Sequence, residues 1–133
     1  MGILDDFRLD GRLAVVTGAS RGIGAAIAIA LAEAGADVVG IARRMPQHGD
    51  ETGAAVRAAG RQFTGIAADL ADDAGIAAAL AAIADLGRPV DILINNAGIA
   101  ERSPAEDHTD AQWASVLAVN LTAPFALARE LGR

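Results

Sequence analysis

The stretch TGASRGIG, residues 17–24, decides the fold of this chain. It places three glycines between an apolar run and an alanine-rich segment. Glycine loses more conformational entropy on folding than any other residue, so the space or backbone freedom it leaves must be used. The preceding RLAVVTG, residues 12–18, predicts a buried strand, and IGAAIAIALAEAG, residues 23–35, predicts a helix. The glycines therefore mark a turn from a strand into a helix.

The rest of the chain repeats this alternation. Further strands are predicted at 36–42, 63–69 and 90–98, and further helices at 51–60, 72–87 and after 109. A capping box of Thr109 and Gln112 starts the last helix, and Asn120 and Pro124 predict a kink or break in it. Strands that alternate with helices form βαβ units, with parallel strands and helices on both faces. We therefore expect an α/β fold, the first four strands of a Rossmann-type, doubly wound parallel sheet.

Composition narrows the class of protein. The chain has 133 residues, enough for one domain, with 53% hydrophobic residues, no cysteine and a net charge of −6. These values exclude a disulfide framework and a thiolate metal site, and they disfavour binding to nucleic acid. We expect no apolar stretch of the length of a membrane span, and the acidic start is unlike a signal peptide, so we expect a cytoplasmic protein. His48 and His108 lack neighbouring metal ligands, and we expect no metal.

The glycine turn has a chemical use. The first turn of a helix presents unpaired N–H groups and a partial positive charge, and both attract a pyrophosphate. The alternative is a tight turn without a ligand. A glycine cluster that follows a first strand and opens a helix is the context of the dinucleotide fingerprint, so binding is the favoured interpretation.

The spacing, G-x-x-x-G-x-G after a threonine, resembles the motif of the short-chain dehydrogenase/reductase family. Further family motifs stand in the same order: Asp69–Leu70 after the third strand, NNAG at 95–98 and Asn120 within LAVNLTAPF. The resemblance covers essentially the whole chain. It implies the sheet order 3-2-1-4, with the fourth strand at an edge.

The resemblance also implies roles for individual residues. The residues that the resemblance places against the cofactor are Gly18, Ser20, Arg21, Gly22, Ile23, Gly24, Asp69, Leu70, Asn96, Ala97 and Gly98. Thr17 is expected to bond across to the NNAG segment, and Asn95 to bridge neighbouring strands. Asp69 would accept from the adenine amino group with Leu70 beside the ring; alternatively, Asp69 caps the next helix.

Asn120 is the one residue that the resemblance carries over from the catalytic set. A buried asparagine in a helix is costly unless its polar atoms are satisfied. In the family its backbone carbonyl holds a water of the proton relay; the alternative is an ordinary asparagine at a kink. Trp113 is expected to lie in the core.

The residues after the second strand indicate the cofactor. Ala42 stands where a carboxylate would bind the ribose of NAD, and Arg43 and Arg44 follow it. Together with Arg21 these guanidinium groups can clamp a 2′-phosphate, which favours NADP. NAD is the alternative, since such arginines can also stack on adenine or face water.

The resemblance implies an NAD(P)-dependent oxidoreductase that interconverts an alcohol and a carbonyl by hydride transfer. The family also needs a serine, a tyrosine and a lysine, but this chain has no tyrosine and no lysine. We therefore expect residues 1–133 to be a single dinucleotide-binding domain, the inactive N-terminal half of a chain of roughly 250 residues. A homo-oligomer is expected for the complete protein.

The substrate is expected to be a small alcohol or ketone. The segment NNAGIAERSP resembles family members that act on sugar acids, such as gluconate and deoxygluconate dehydrogenases, and Arg102 would then face a carboxylate or simply water. The alternatives are a 3-oxoacyl carrier-protein reductase and a non-catalytic dinucleotide-binding or regulatory module.

Overall fold

The computed structural model describes residues 2–133 and confirms the predicted alternation. The strands are β1 (Leu13–Thr17), β2 (Asp37–Ala42), β3 (Phe63–Ala67) and β4 (Ile92–Ile94). The helices are α1 (Gly22–Glu33), α2 (Glu51–Ala58), α3 (Asp73–Ala84), α4 (Asp110–Leu117) and α5 (Ala123–Leu131). Short 3₁₀ turns lie at Ile3–Phe7 and Ala105–Asp107. The fourth strand is shorter than predicted, so the NNAG segment is a loop.

The strands form one parallel sheet in the order β3-β2-β1-β4, as expected. In the register, Val15 of β1 lies between Val39 of β2 and Leu93 of β4. All five residues of β1 are buried, because this strand has a neighbour on each side and helices on both faces. The carboxyl ends of β1, β2 and β4 therefore meet at one edge of the sheet.

Side chains alternate between two apolar layers. On one face, residues such as Val15, Val39 and Ile66 pack with α3 and α5, around Leu127. On the other face, Val16, Val38 and Phe63 pack with α1 and α2. Each fully buried aliphatic side chain contributes about 1.5–3 kcal/mol relative to an exposed one. The expected coverage of both faces is confirmed.

The last helical stretch is irregular where the sequence predicts it. Residues Ala118–Thr122 form a π-turn between α4 and α5, and the N–H of Ala123 bonds to the carbonyl of Ala118, five residues back. Pro124 has no N–H to continue the ordinary ladder, and it lies directly after the π-turn, at the second residue of α5. The stretch is thus locally widened and not broken.

The combined stretch from α4 to α5 corrects the expectation that no apolar segment has the length of a membrane span. Asp110–Leu131 is a 22-residue helix with a mean hydropathy of 1.2 in its most apolar window, which is long and apolar enough to cross a membrane by length and composition alone. Core helices of soluble proteins pass the same test, so the finding is weak evidence for a membrane. Trp113, Leu121 and Phe125 project from it and are largely exposed.

Candidate cofactor-binding site

The glycine turn and the NNAG loop are joined directly, because β1 and β4 are neighbours. The hydroxyl oxygen of Thr17 accepts from the backbone N–H of Asn96 at 3.1 Å and of Ala97 at 2.9 Å. Thr17 is fully buried at this junction. The predicted bond from Thr17 to the NNAG segment is confirmed.

The bridge expected of Asn95 is made by Asn96 instead. The Asn96 side-chain amide donates to the carbonyl of Thr17 at 3.0 Å and to that of Gly18 at 3.3 Å. Asn95, one position earlier, is exposed. Asn96 was expected at the cofactor, but its amide is committed to bracing the glycine turn.

The three glycines of the turn do different things. Gly18 has a φ of +66°, and a Cβ there would stand 2.8 Å from the Asn96 amide nitrogen. A Cβ on Gly24 would overlap the carbonyl oxygen of Gly18, so this glycine lets the helix pack against the strand end, as predicted. Gly22 has a φ of +60°, and no heavy atom lies within 4 Å of its Cβ position. The open space of the turn therefore lies at Gly22.

The amino end of α1 is left uncapped. The N-cap residue is Arg21, and its side chain accepts no hydrogen bond from the N–H groups of the first turn. That turn also holds no acidic residue. By contrast, α2, α3 and α4 are capped by the side chains of Asp50, Asp72 and Thr109. The first N–H groups of α1 are thus available to an anion beside the open space at Gly22. This arrangement fits the pyrophosphate of a dinucleotide.

The end of β2 lies beside the same turn. The N–H groups of Gly18 and Ala19 donate to the carbonyl of Ile41, at 2.8 and 3.3 Å. Arg43 and Arg44, two residues further on, are exposed, as is Arg21 in the turn. Within residues 2–133, the ion pairs involve other arginines, namely Arg8, Arg12, Arg88, Arg129 and Arg133. Within the described residues, the guanidinium groups of Arg21, Arg43 and Arg44 therefore form no ion pair.

Asp69 and Leu70 follow β3. Asp69 is exposed, and one carboxylate oxygen accepts from the N–H of Ala71 at 2.9 Å in a local turn. It does not cap α3, because Asp72 does so. Leu70 is only 7% exposed, and its side chain packs in the core with Ile76.

Asn120 lies in the π-turn and is exposed, which corrects the expectation that it is buried. Its side chain makes two hydrogen bonds to one residue of the loop that follows NNAG. The amide oxygen accepts from the N–H of Ile99, and the amide nitrogen donates to the carbonyl of Ile99, both at 2.9 Å. Asn120 therefore fixes the helix to the loop beside Gly98.

The loop beyond Ile99 holds residues that the sequence did not single out together. The Ser103 hydroxyl and Nδ1 of His108 lie 2.9 Å apart, beside Thr109 and Trp113 in a shallow cleft. Trp113 is 63% exposed and not in the core as expected, because nothing in the described chain packs on that side of α4. Arg102 is exposed in the same loop. In the sequence, the spacing of Ser103, His108 and Trp113 carried no signal that these side chains lie together.

Comparisons with known proteins agree with this geometry. The 2-dehydro-3-deoxy-D-gluconate 5-dehydrogenase of Pseudoalteromonas atlantica is 41% identical over 131 residues, 98% of this chain and 52% of that protein. Galactitol 2-dehydrogenase of Rhizobium johnstonii is 45% identical over 128 residues, 96% of this chain and 49% of that protein. The chain thus spans about half the length of these curated relatives.

A solved structure extends the likeness to the fold. L-sorbose reductase from Gluconobacter frateurii, crystallised with NADPH and L-sorbose, matches with a TM-score of 0.87 at 32% identity. That match covers 96% of this chain and 48% of the other. The family model described as short chain dehydrogenase matches residues 12–133. By sequence, motif geometry and sheet order, this chain belongs to the short-chain dehydrogenase family.

Proposed function

We propose that the protein is an NADP(H)-dependent oxidoreductase that interconverts an alcohol and a carbonyl group on sugar-type substrates. Residues 1–133 would form its dinucleotide-binding domain, the first half of a chain of the relatives' length. The observation that carries the proposal is the uncapped amino end of α1 beside the open space at Gly22, with unpaired guanidinium groups next to it.

The residues at this edge fit each part of the cofactor. The first N–H groups of α1, with Ser20 and Ile23 alongside, would hold the pyrophosphate. Arg43 and Arg44, helped by Arg21, would clamp the 2′-phosphate, for which a planar guanidinium is well suited. A carboxylate that would repel this phosphate is missing at Ala42.

The remaining contacts complete the site. The free oxygen of Asp69 would accept from the adenine amino group, and the Leu70 backbone would lie beside the ring. Ala97 and Gly98 would leave room for the nicotinamide ribose. When bound, the cofactor supplies or accepts the hydride, while the chain binds and orients it.

Asn120 would contribute to proton transfer by fixing the loop beside the nicotinamide and by holding a water on its backbone carbonyl. The serine, tyrosine and lysine of the family's chemistry would come from outside residues 1–133, so these residues alone are expected to be inactive. A general acid or base must lie within hydrogen-bond reach of the substrate oxygen, and we assign that role to the family's tyrosine, outside residues 1–133.

A sugar acid is the favoured substrate, since a relative that is named for one matches almost the whole chain. Arg102, exposed in the loop after NNAG, would face its carboxylate. We further propose a cytoplasmic homo-oligomer. A reductase of 3-oxoacyl carrier protein is the alternative within the family, and a non-catalytic dinucleotide-binding module is the alternative outside it.

The deciding experiment combines binding and turnover. NADPH is titrated into the whole protein and into residues 1–133 by fluorescence, and NADPH oxidation is then followed with keto-sugar acids, ketoses and a 3-oxoacyl thioester. We expect micromolar-range binding, turnover with the keto-sugar acids in the whole protein, and none with residues 1–133 alone. NADPH binding without any carbonyl reduction by the whole protein would support the non-catalytic module.

A further inference from the structure

Residues 43–50 connect β2 to α2 and carry both arginines proposed to hold the 2′-phosphate. We call this segment the arginine loop. It does not extend into solvent but folds back over β3, the edge strand of the sheet. The N–H of Gly65 in β3 donates to the carbonyl of Gln47 in the loop at 2.7 Å. The loop thus pairs one N–H group that an edge strand otherwise leaves free.

The loop also occupies the place of a missing side chain. A Cβ on Gly65 would overlap the carbonyl oxygen of Pro46 and stand 2.8 Å from Cγ of Met45. Met45 is only 5% exposed and packs in the apolar layer with Phe63 and Val56. Any side chain at Gly65 must therefore push away the backbone that directly follows the two arginines.

Other contacts fix the far end of the arginine loop. The N–H of Gly49 donates to the carbonyl of Pro46 at 2.8 Å, and the Arg57 guanidinium bonds to the carbonyl of His48. The Thr52 hydroxyl, buried at the start of α2, donates to the carbonyl of Ala19 in the glycine turn at 2.9 Å. The loop is held between β3 and the turn proposed to bind the pyrophosphate.

We propose that Gly65 is a positioning residue that sets the preference for a 2′-phosphorylated cofactor, by giving the arginine loop its seat on β3. The inference rests on the proposed function of Arg43 and Arg44. Bonds from a guanidinium to a phosphate depend on direction as well as distance, so a displaced loop weakens them. Contacts to the pyrophosphate and adenine come from other segments and stay in place.

The test uses two fragments of the cofactor as probes: 2′,5′-ADP, which has the 2′-phosphate, and 5′-AMP, which lacks it. Their affinities for the whole protein are measured by calorimetry, so the readout does not depend on turnover. We expect Gly65→Ala to weaken 2′,5′-ADP about tenfold or more, the effect of losing one charge-assisted hydrogen bond. The affinity for 5′-AMP stays within about twofold, since no phosphate contact to the loop is involved.

Two further variants keep the test decisive. Met45→Ala removes the side chain that packs the loop onto Phe63 while the sequence of β3 stays unchanged, and we expect the same selective loss of 2′,5′-ADP affinity. Ile66→Ala is the control: it removes a buried side chain from the opposite face of β3, costs stability and leaves the ratio of the two affinities unchanged.

The outcomes separate the two levels of the proposal. A wild-type protein that binds 5′-AMP as tightly as 2′,5′-ADP contradicts the proposed NADP preference, and the positioning role with it. A wild-type preference that survives both Gly65→Ala and Met45→Ala overturns the positioning role alone. An equal loss of both probes in these variants also overturns it, because it shows a general disturbance of the site.

Discussion

At the amino ends of β1, β2 and β4, arginine and aspartate side chains form ion pairs, whereas the two arginines at the carboxyl end of β2 form none within the described residues. Asp37, the first residue of β2, accepts from Arg88 at 2.7 Å, and Asp91, before β4, pairs with Arg12. At the other edge of the sheet, Arg43 and Arg44 have no carboxylate partner in the described residues. The sheet is the same at both ends, so the difference lies in what the connecting segments place there.

The comparison separates stability from binding. Burial alone would raise the pKa of Asp37, but the Arg88 guanidinium and the Gln62 N–H outweigh it and hold the pKa below its ordinary value. The N–H of Leu13, with help from Arg12, does the same for the pKa of Asp91. The paired charges at the amino ends thus fix the strands, while Arg43 and Arg44 at the carboxyl end of β2 are the groups proposed to bind an anion.

The largest expected effect is a loss of cofactor binding in Gly22→Val. A branched side chain would fill the open space beside the first N–H groups of α1, and we expect NADPH affinity to fall by about 100-fold or more. Gly11→Val is a matched control at the amino end, since Gly11 also has a positive φ and an open Cβ position. Both variants carry similar backbone strain. NADPH affinity is measured by calorimetry. Equal affinity in Gly22→Val and Gly11→Val would show that the glycine turn does not contact the cofactor.

The next effect concerns the choice of cofactor. Arg43→Asp removes a proposed phosphate ligand and adds a carboxylate that repels the 2′-phosphate and accepts from the ribose hydroxyls. We expect the ratio of NADPH to NADH affinities to fall by about 100-fold. Arg12→Asp changes the net charge equally at the amino end and is expected to leave the ratio unchanged. A parallel fall in both variants would point to the overall field of the protein instead.

The smallest effect is on stability and comes from the amino ends. Asp37→Asn weakens the bond to Arg88, and we expect the free energy of unfolding to fall by about 1 kcal/mol at pH 7 without a change in NADPH affinity. Because the folded pKa of Asp37 is depressed, its contribution is present above the unfolded pKa of about 3.9 and is lost as the pH falls below it. Urea unfolding at pH 7 and pH 3 checks this. The same difference between variant and wild type at both pH values would contradict the assignment.

The order of elements was predictable from the sequence because it follows from local apolar patterns and turn residues. The position of β4 at the edge came from the resemblance to a family, since pairing between distant strands leaves no local signal. The length of β4 was missed for a related reason. VDILINNAG reads as one strand, but only Ile92–Ile94 has a partner in β1.

The bridge between β1 and the NNAG loop was predicted to within one residue. Asn95 and Asn96 are identical neighbours, and only the end of β4 decides which of them turns toward β1. The exposure of Trp113 and Asn120 depends on what packs against the last helix, which helical spacing cannot show. Gly65 reads as an interruption of a strand until the structure reveals the loop that lies over it.

The pairing of β1 with both β2 and β4 has a consequence for the order of folding. The bond from the Leu13 N–H to Asp91 closes a segment of 78 residues, about three times the span between β1 and β2. Closing the longer loop costs roughly 1 kcal/mol more in chain entropy. On this ground we expect the compact unit from β1 to β3 to gain its contacts first and the docking of β4 to follow. Since Thr17 meets Asn96 only when β4 docks, the proposed cofactor pocket is then expected to be completed last, and a larger effect of Leu93→Ala than of Val39→Ala on the unfolding rate relative to the folding rate would support this order.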